Sequence, residues 1–210
     1  MIPIILRLKK GIHKDIALAQ DILIQELYNV FNDAVLHGGT AIWRCYKGNR
    51  FSEDLDLYLK RDLEKINLLF NNLNKRGFII IKKKIGENSL YSELKNNRTS
   101  VRFEALFKKV DGVLKEYETS EGNLITVYAL TPEQLINEKI DAYSGRLKIR
   151  DLYDIFFLLR HVKDKGKISL KIKKLVKEFK KPIDENELKV LILEGIVPDV
   201  DMMLDYIKNY

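Results

Sequence analysis

His37-Gly38-Gly39-Thr40, thirteen residues, then Asp54-Leu55-Asp56-Leu57-Tyr58-Leu59: the reading of this chain turns on these two phrases and their order. Ala34-Val35-Leu36 reads as a short apolar strand that runs into an abrupt Gly-Gly turn. Residues Thr40 to Tyr46 then begin a short helix that ends near Gly48. Asp54 to Leu59 alternates polar and apolar, the period of a half-buried strand. Asp54 and Asp56 therefore point to one face, about 6.6–7 Å apart along the backbone. Two carboxylates that close repel each other, and a hard divalent cation such as Mg²⁺ gives them a reason to stand together. Gly38-Gly39 lets the backbone approach a phosphate. The helix start behind it offers free N–H groups, a positive dipole end and the Thr40 hydroxyl to an anion. Joined in this order, the parts suit phosphoryl or nucleotidyl transfer.

Around this centre the chain alternates between helical and strand periods. Ile12, Ile16, Ala19, Leu23, Leu27 and Val30 recur at spacings of three and four, which predicts an amphipathic helix from about Gly11 to Phe31. A second helix spans Asp62 to Lys75 and stops at Gly77, and Phe78 to Ile81 reads as a strand. Val101 to Phe107 and Leu124 to Leu130 read as further strands, with turns at Asp111-Gly112 and Glu121-Gly122-Asn123. At Thr131-Pro132-Glu133-Gln134 an N-cap, a first-turn proline and a capping-box Gln open a helix. Beyond it the pattern is helical, at about 132–144, 150–162, 168–180, 184–194 and 199–208, punctuated by Pro182 and Pro198. The expectation is an α+β half over 1–130 followed by an all-helical half over 131–210, packed together because no Gly/Ser/Pro-rich linker parts them.

Composition narrows the function classes. The chain has 210 residues, 46% of them apolar and 32% charged, which excludes wholesale disorder and gives enough length for a real core. Lys+Arg number 37 against 30 Asp+Glu, a net charge of +7 that favours a polyanionic partner. One cysteine, Cys45, rules out an intramolecular disulfide framework and a cysteine-cluster zinc site. No apolar run approaches a membrane span, and the N-terminal apolar run is too short for a signal peptide, so a cytoplasmic protein is expected.

Leu36-His37-Gly38-Gly39-Thr40-Ala41, continuing to Arg50-Phe51-Ser52-Glu53-Asp54-Leu55-Asp56-Leu57, closely resembles the first motif of the AbiEii/AbiGii-type nucleotidyltransferase toxins. That family includes the MenT toxins and lies within the DNA polymerase β-like superfamily. The resemblance implies a nucleotidyltransferase core, a mixed β-sheet flanked by helices, with the helical half completing the active-site cleft. It also implies that Asp54 and Asp56 bind Mg²⁺ or Mn²⁺, and that Gly38, Gly39 and Thr40 hold the phosphates of a nucleoside triphosphate. Arg50 and Ser52 would line the same pocket. The superfamily's third carboxylate is expected at Glu104, in Val101-Arg102-Phe103-Glu104, with Arg102 on its face by the period of two, either pairing with Glu104 or contacting phosphate.

A second match runs through Glu138-Lys139-Ile140-Asp141-Ala142 to Arg146 and Arg150-Asp151-Leu152-Tyr153-Asp154. The resemblance implies that Lys139 contacts the triphosphate and that Asp151 or Asp154 orients it. The residues themselves also allow a snorkelling lysine and a structural ion-pair network, with Lys139, Arg146 or Arg150 partnering the buried acids.

Lys163, Lys165, Lys167, Lys171, Lys173, Lys174, Lys177, Lys180 and Lys181 face only Asp164 and Glu178 in their stretch. Such a stripe is ordinarily a solvated helix face. Beside a nucleotide site it also fits sequence-independent contact with RNA. The resemblance implies transfer to a tRNA 3′ end and a cognate antitoxin of AbiEi type. Two alternatives remain: nucleotidyl transfer to a protein side chain or small molecule, and a non-catalytic scaffold binding RNA or a partner.

Overall fold

The computed structural model describes residues 2–210, which fall into two compact units. One comprises the chain up to Lys47 together with Phe51–Leu130. The other comprises Gly48–Arg50 together with Thr131–Tyr210.

In the first unit, α1 (Ile4–Arg7) precedes α2 (Gly11–Val30), whose Ile16, Ala19, Leu23 and Leu27 are buried. β1 (Val35–His37) leads directly into α3 (Gly38–Cys45), and β2 (Leu55–Leu59) follows. α4 (Leu63–Lys75) starts at Asp62, whose side chain accepts the Lys65 N–H, and Gly77 at φ +85° turns the chain out of it. Then come β3 (Phe78–Ile85), β4 (Ser89–Asn96), β5 (Thr99–Phe107), β6 (Val113–Glu118) and β7 (Leu124–Ala129). They form one mixed seven-stranded sheet in the order β3-β4-β5-β2-β1-β7-β6. β2 runs parallel to β5 and β1 parallel to β7, while the other neighbours are antiparallel.

β4 and β6 were not expected, and β3 runs four residues further than the strand read from Phe78 to Ile81. β4 carries only Leu90 and Leu94 as buried apolar positions, with buried Ser92 between them. It is held by pairing on both edges, with β3 and with β5, and that pairing lies outside any local pattern. Asn97 at φ +51° makes the tight turn between β4 and β5.

Alternation sorts the sheet's two faces. Leu36, Leu55, Leu57, Leu59, Phe103 and Ala105 are buried on one face. On the other face, β2–β5 register sets Asp56 beside Glu104, and β1–β2 register sets His37 beside Asp56. Two residues further on, a second row on that face holds Leu106, Tyr58, Val35 and Tyr128.

In the second unit, α5 (Pro132–Arg146) opens with a complete Thr131/Gln134 capping box and ends at Leu147, φ +50°. α6 (Ile149–Leu159), α7 (Gly166–Lys177), a 3₁₀ turn at Glu185–Glu187, α8 (Leu188–Leu191) and α9 (Val200–Lys208) follow. The expected helix over 184–194 is thus only that 3₁₀ turn and one helical turn. The chain then turns extended so that Leu193 N–H reaches the Asn49 carbonyl at 3.0 Å and Ile192 bridges Arg50. This pairing is what draws residues 48–50 into the second unit.

Candidate active site

The carboxylates sit at the end of the sheet where β1 meets α3. Gly38 adopts φ +69°, a left-handed conformation that favours glycine. A Cβ at this position would stand 2.2 Å from Asp56 Oδ2, so the first glycine of the turn makes room for the carboxylate itself. His37 provides no side-chain cap for α3, which leaves the first-turn N–H groups of this eight-residue helix without a side-chain acceptor from that residue.

Thr40 has a different task from the one expected. Its side chain is fully buried and its hydroxyl donates to the Asp54 carbonyl at 2.5 Å, so it fixes the backbone that carries Asp54 and is not exposed to a phosphate. Buried Gln20, on α2, supports the same segment by donating to the Ser52 and Glu53 carbonyls, each at 3.0 Å. Ser52 is itself buried. No pattern in the sequence marks Gln20, which lies within a helical stripe and acts on a loop more than thirty residues away.

Arg102 grips Asp54 in a bidentate pair, Nε to Oδ1 at 2.6 Å and Nη2 to Oδ2 at 3.0 Å. Partial burial works against the guanidinium, but Asp54 outweighs it and holds the Arg102 pKa above its ordinary value. Glu104 is pushed the opposite way for a carboxyl: partial burial first, then the Asp56 and Asp54 charges, raise it above its ordinary value. Among the described residues, no three His, Cys, Asp or Glu side chains converge as a ready-made metal cage. Asp56 and Glu104 stand side by side in register, while Asp54 is held by the arginine. The donor set is all oxygen, and the upward shift of Glu104 reflects burial first and then the neighbouring negative charges of Asp56 and Asp54. Those oxygens and charges suit a hard divalent cation.

The second unit gathers the remaining sequence-derived residues. Arg50 binds Asp154 through Nε and Nη2, both at 2.8 Å. Lys139 Nζ lies 3.2 Å from Asp151 and 2.7 Å from Asp154. Arg146 clasps Asp151 at 2.7 and 2.8 Å. Asp151 and Asp154 are fully buried. Burial alone would raise both carboxyls, but Arg50 and Lys139 around Asp154, and Arg146 and Lys139 around Asp151, hold both below the usual range. Arg50, expected in a nucleotide pocket, is instead buried on Asp154. The two aspartates are likewise spent on their cations and offer no surface to a triphosphate. Asp154 pairs with both Lys139 and Arg50, and Asp151 pairs with Lys139 and Arg146.

The comparisons with known proteins bear on both clusters. The model of the family described as "Nucleotidyl transferase AbiEii toxin, Type IV TA system" matches residues 21–202. Among solved structures, the chain is similar to MenT4, a nucleotidyltransferase toxin of Mycobacterium tuberculosis, with TM-score 0.65 and 18% identity over 94% of this chain and 82% of that one. It is similar to JHP933 of Helicobacter pylori with TM-score 0.66 and 19% identity, over 94% and 89%. At that identity the likeness establishes a common fold. No curated protein matches the chain. The family model spans the Gly-Gly turn, all three carboxylates and the Lys139–Asp154 network, and the chain belongs to the AbiEii family of nucleotidyltransferase toxins of type IV toxin–antitoxin systems.

Proposed function

We propose that the protein is a Mg²⁺-dependent nucleotidyltransferase that moves a nucleoside monophosphate from a nucleoside triphosphate onto an acceptor hydroxyl, that of a tRNA 3′ end. The observation that carries this reading is the row Glu104–Asp56–His37, with Gly38 cleared of any Cβ so that Asp56 can lie against the turn that starts α3. Asp56 and Glu104 would hold the metal, with Asp54 joining once Arg102 lets go. A bound Mg²⁺ would supply charge neutralisation at the triphosphate and polarisation of its α-phosphorus.

The chain's own groups do the rest. First-turn N–H groups of α3, at Gly38 and Gly39, receive phosphate oxygens. The acceptor oxygen attacks the α-phosphorus in line, the bond to pyrophosphate breaks, and Asp56 or Glu104 takes the hydroxyl proton. Lys139 would contribute its ammonium to the polyphosphate, positioned by Asp151 and Asp154. A toxin of this type needs a cognate antitoxin protein as partner.

The test is incubation of the purified chain with Mg²⁺, total tRNA and each labelled nucleoside triphosphate in turn, beside an Asp56→Ala control. Label entering RNA from one nucleotide, and not with the variant, supports the reading and names the donor. Label on protein, or equal labelling by the variant, overturns it.

A further inference from the structure

A cavity of about 720 Å³ opens on the same face of the sheet as the carboxylates, at the far end of β2 and β5. Its floor includes Tyr58, Val35 and Tyr128, the row next to Glu104–Asp56–His37 and about 6.6–7 Å from it. The His37 ring stacks on Tyr58 at 4.2 Å, so the aromatic floor continues without a break towards Asp56.

Four cations, Lys60, Arg61, Lys108 and Lys109, stand around this cavity against two acids, Asp33 and Asp111. All four are exposed, and none of their charged ends enters an ion pair or hydrogen bond with the described residues. The lysine stripe near α7 is mixed on this point, since Lys173, Lys174 and Lys177 are likewise exposed and carry no such pair with the described residues, and the stripe is set apart by having no comparable aromatic floor rather than by its charges. There Lys171 is tied to Asp141 at 2.6 Å, Lys167 to Asp164, and Lys165 to the Tyr210 carbonyl and ring. Unpaired cations around stacked aromatic rings are the pairing of features that binds single-stranded nucleic acid: charge for the backbone, π-faces for the bases.

We propose that this cavity binds a nucleotide unit, its base against Tyr58 and Tyr128 and its phosphate among Lys60, Arg61, Lys108 and Lys109. The unit comes from the RNA strand upstream of the acceptor end or from a free mononucleotide. The proposal rests on the transfer reading only for the strand's direction. Its test therefore omits both metal and triphosphate, and a failure of transfer leaves it standing.

The experiment measures the affinity of a fluorescein-labelled single-stranded RNA hexamer by anisotropy, in EDTA, over a salt series. The proteins are wild type, Lys108→Ala/Lys109→Ala, Tyr128→Ala, and Lys173→Ala/Lys174→Ala/Lys177→Ala as a comparison. Loss of two phosphate contacts should flatten the log–log salt slope by about 1.4, at about 0.7 per contact on single strands. Affinity should fall at least fivefold for the Lys108/Lys109 variant, and at least fivefold for Tyr128→Ala through lost stacking. Displacement of the hexamer by unlabelled mononucleotides identifies a single-nucleotide site, and resistance to them identifies a strand site. Both outcomes support the cavity. Wild-type affinity and slope in the Lys108/Lys109 variant overturn the proposal, whatever the α7 variant does.

Discussion

Gly38→Ala separates two costs that the structure predicts at one position. The backbone at φ +69° disfavours any Cβ by about 1–2 kcal/mol. The new methyl would also meet Asp56 Oδ2 at 2.2 Å and Cγ at 3.0 Å, an overpacking that costs about 1–3 kcal/mol. The two together give about 2–5 kcal/mol. Urea denaturation of Gly38→Ala, Asp56→Ala and the double variant closes a cycle that needs no activity. With Asp56 cut back to its Cβ, only the conformational cost and a 3.1 Å contact remain, so Gly38→Ala should cost about 1–3 kcal/mol less in that background. Activity should also fall about a hundredfold in Gly38→Ala, since relieving the clash moves Asp56 by an ångström or so. Additive stabilities within about 0.5 kcal/mol would refute the close approach as the reason for this glycine.

Arg102→Ala should bind Mn²⁺ two- to fivefold more tightly than wild type by calorimetry. Arginine and metal compete for Asp54, and a half-exposed pair is worth up to about 1 kcal/mol; weaker binding would count against the competition. Asp154→Ala leaves Arg50 and Lys139 buried without their shared acid and should cost about 3–5 kcal/mol in urea denaturation. Asp151 and Asp154 lie below their ordinary value of 3.8 in the fold, so their stabilisation is complete above that pH and is lost as pH falls through the depressed values. The wild-type urea midpoint should accordingly drop at pH below about 4, and an unchanged midpoint at pH 3 would contradict the pairing. Burial pushes the Cys45 thiol up to about 12, so iodoacetamide at pH 8 should alkylate it at least tenfold more slowly in the native chain than in urea.

The central motif was legible because its logic is local. A Gly-Gly turn, a helix start and two carboxylates two residues apart lie within twenty residues, and the fold sets Gly38 against Asp56, a contact that the spacing by itself does not specify. Glu104 was reachable only through the family pattern, since a lone acid in a strand looks solvent-facing until β2 and β5 pair. The grip of Arg102 on Asp54 and the support from Gln20 depend on pairings 48 and about 32 residues apart, which no period reports. Thr40 and Arg50 illustrate a different failure. Residue type suggested a hydroxyl and a guanidinium for phosphate, whereas burial decides that one fixes the Asp54 carbonyl and the other answers Asp154. β4 was missed for its polar content, because in a strand paired on both edges the ladder supplies what side chains do not.

The two charged clusters differ in balance, and that difference leads to a measurement. In the second unit Arg50, Lys139 and Arg146 face Asp151 and Asp154, so every buried acid is answered. In the first unit Asp54, Asp56 and Glu104 face Arg102, three carboxylates against one guanidinium. Glu104 carries part of this excess as a pKa held up by partial burial and by Asp56 and Asp54, so keeping it ionised at neutral pH costs folding free energy. A cation that binds the folded site and not the unfolded chain recovers that cost, by about 2.7 kcal/mol at a hundred times its dissociation constant. The melting temperature should therefore rise with Mg²⁺ concentration in the wild-type chain. Glu104→Gln should melt higher than wild type without metal and gain less from Mg²⁺. Asp56→Ala should gain almost nothing, and a full Mg²⁺ shift in that variant would move the metal away from these carboxylates.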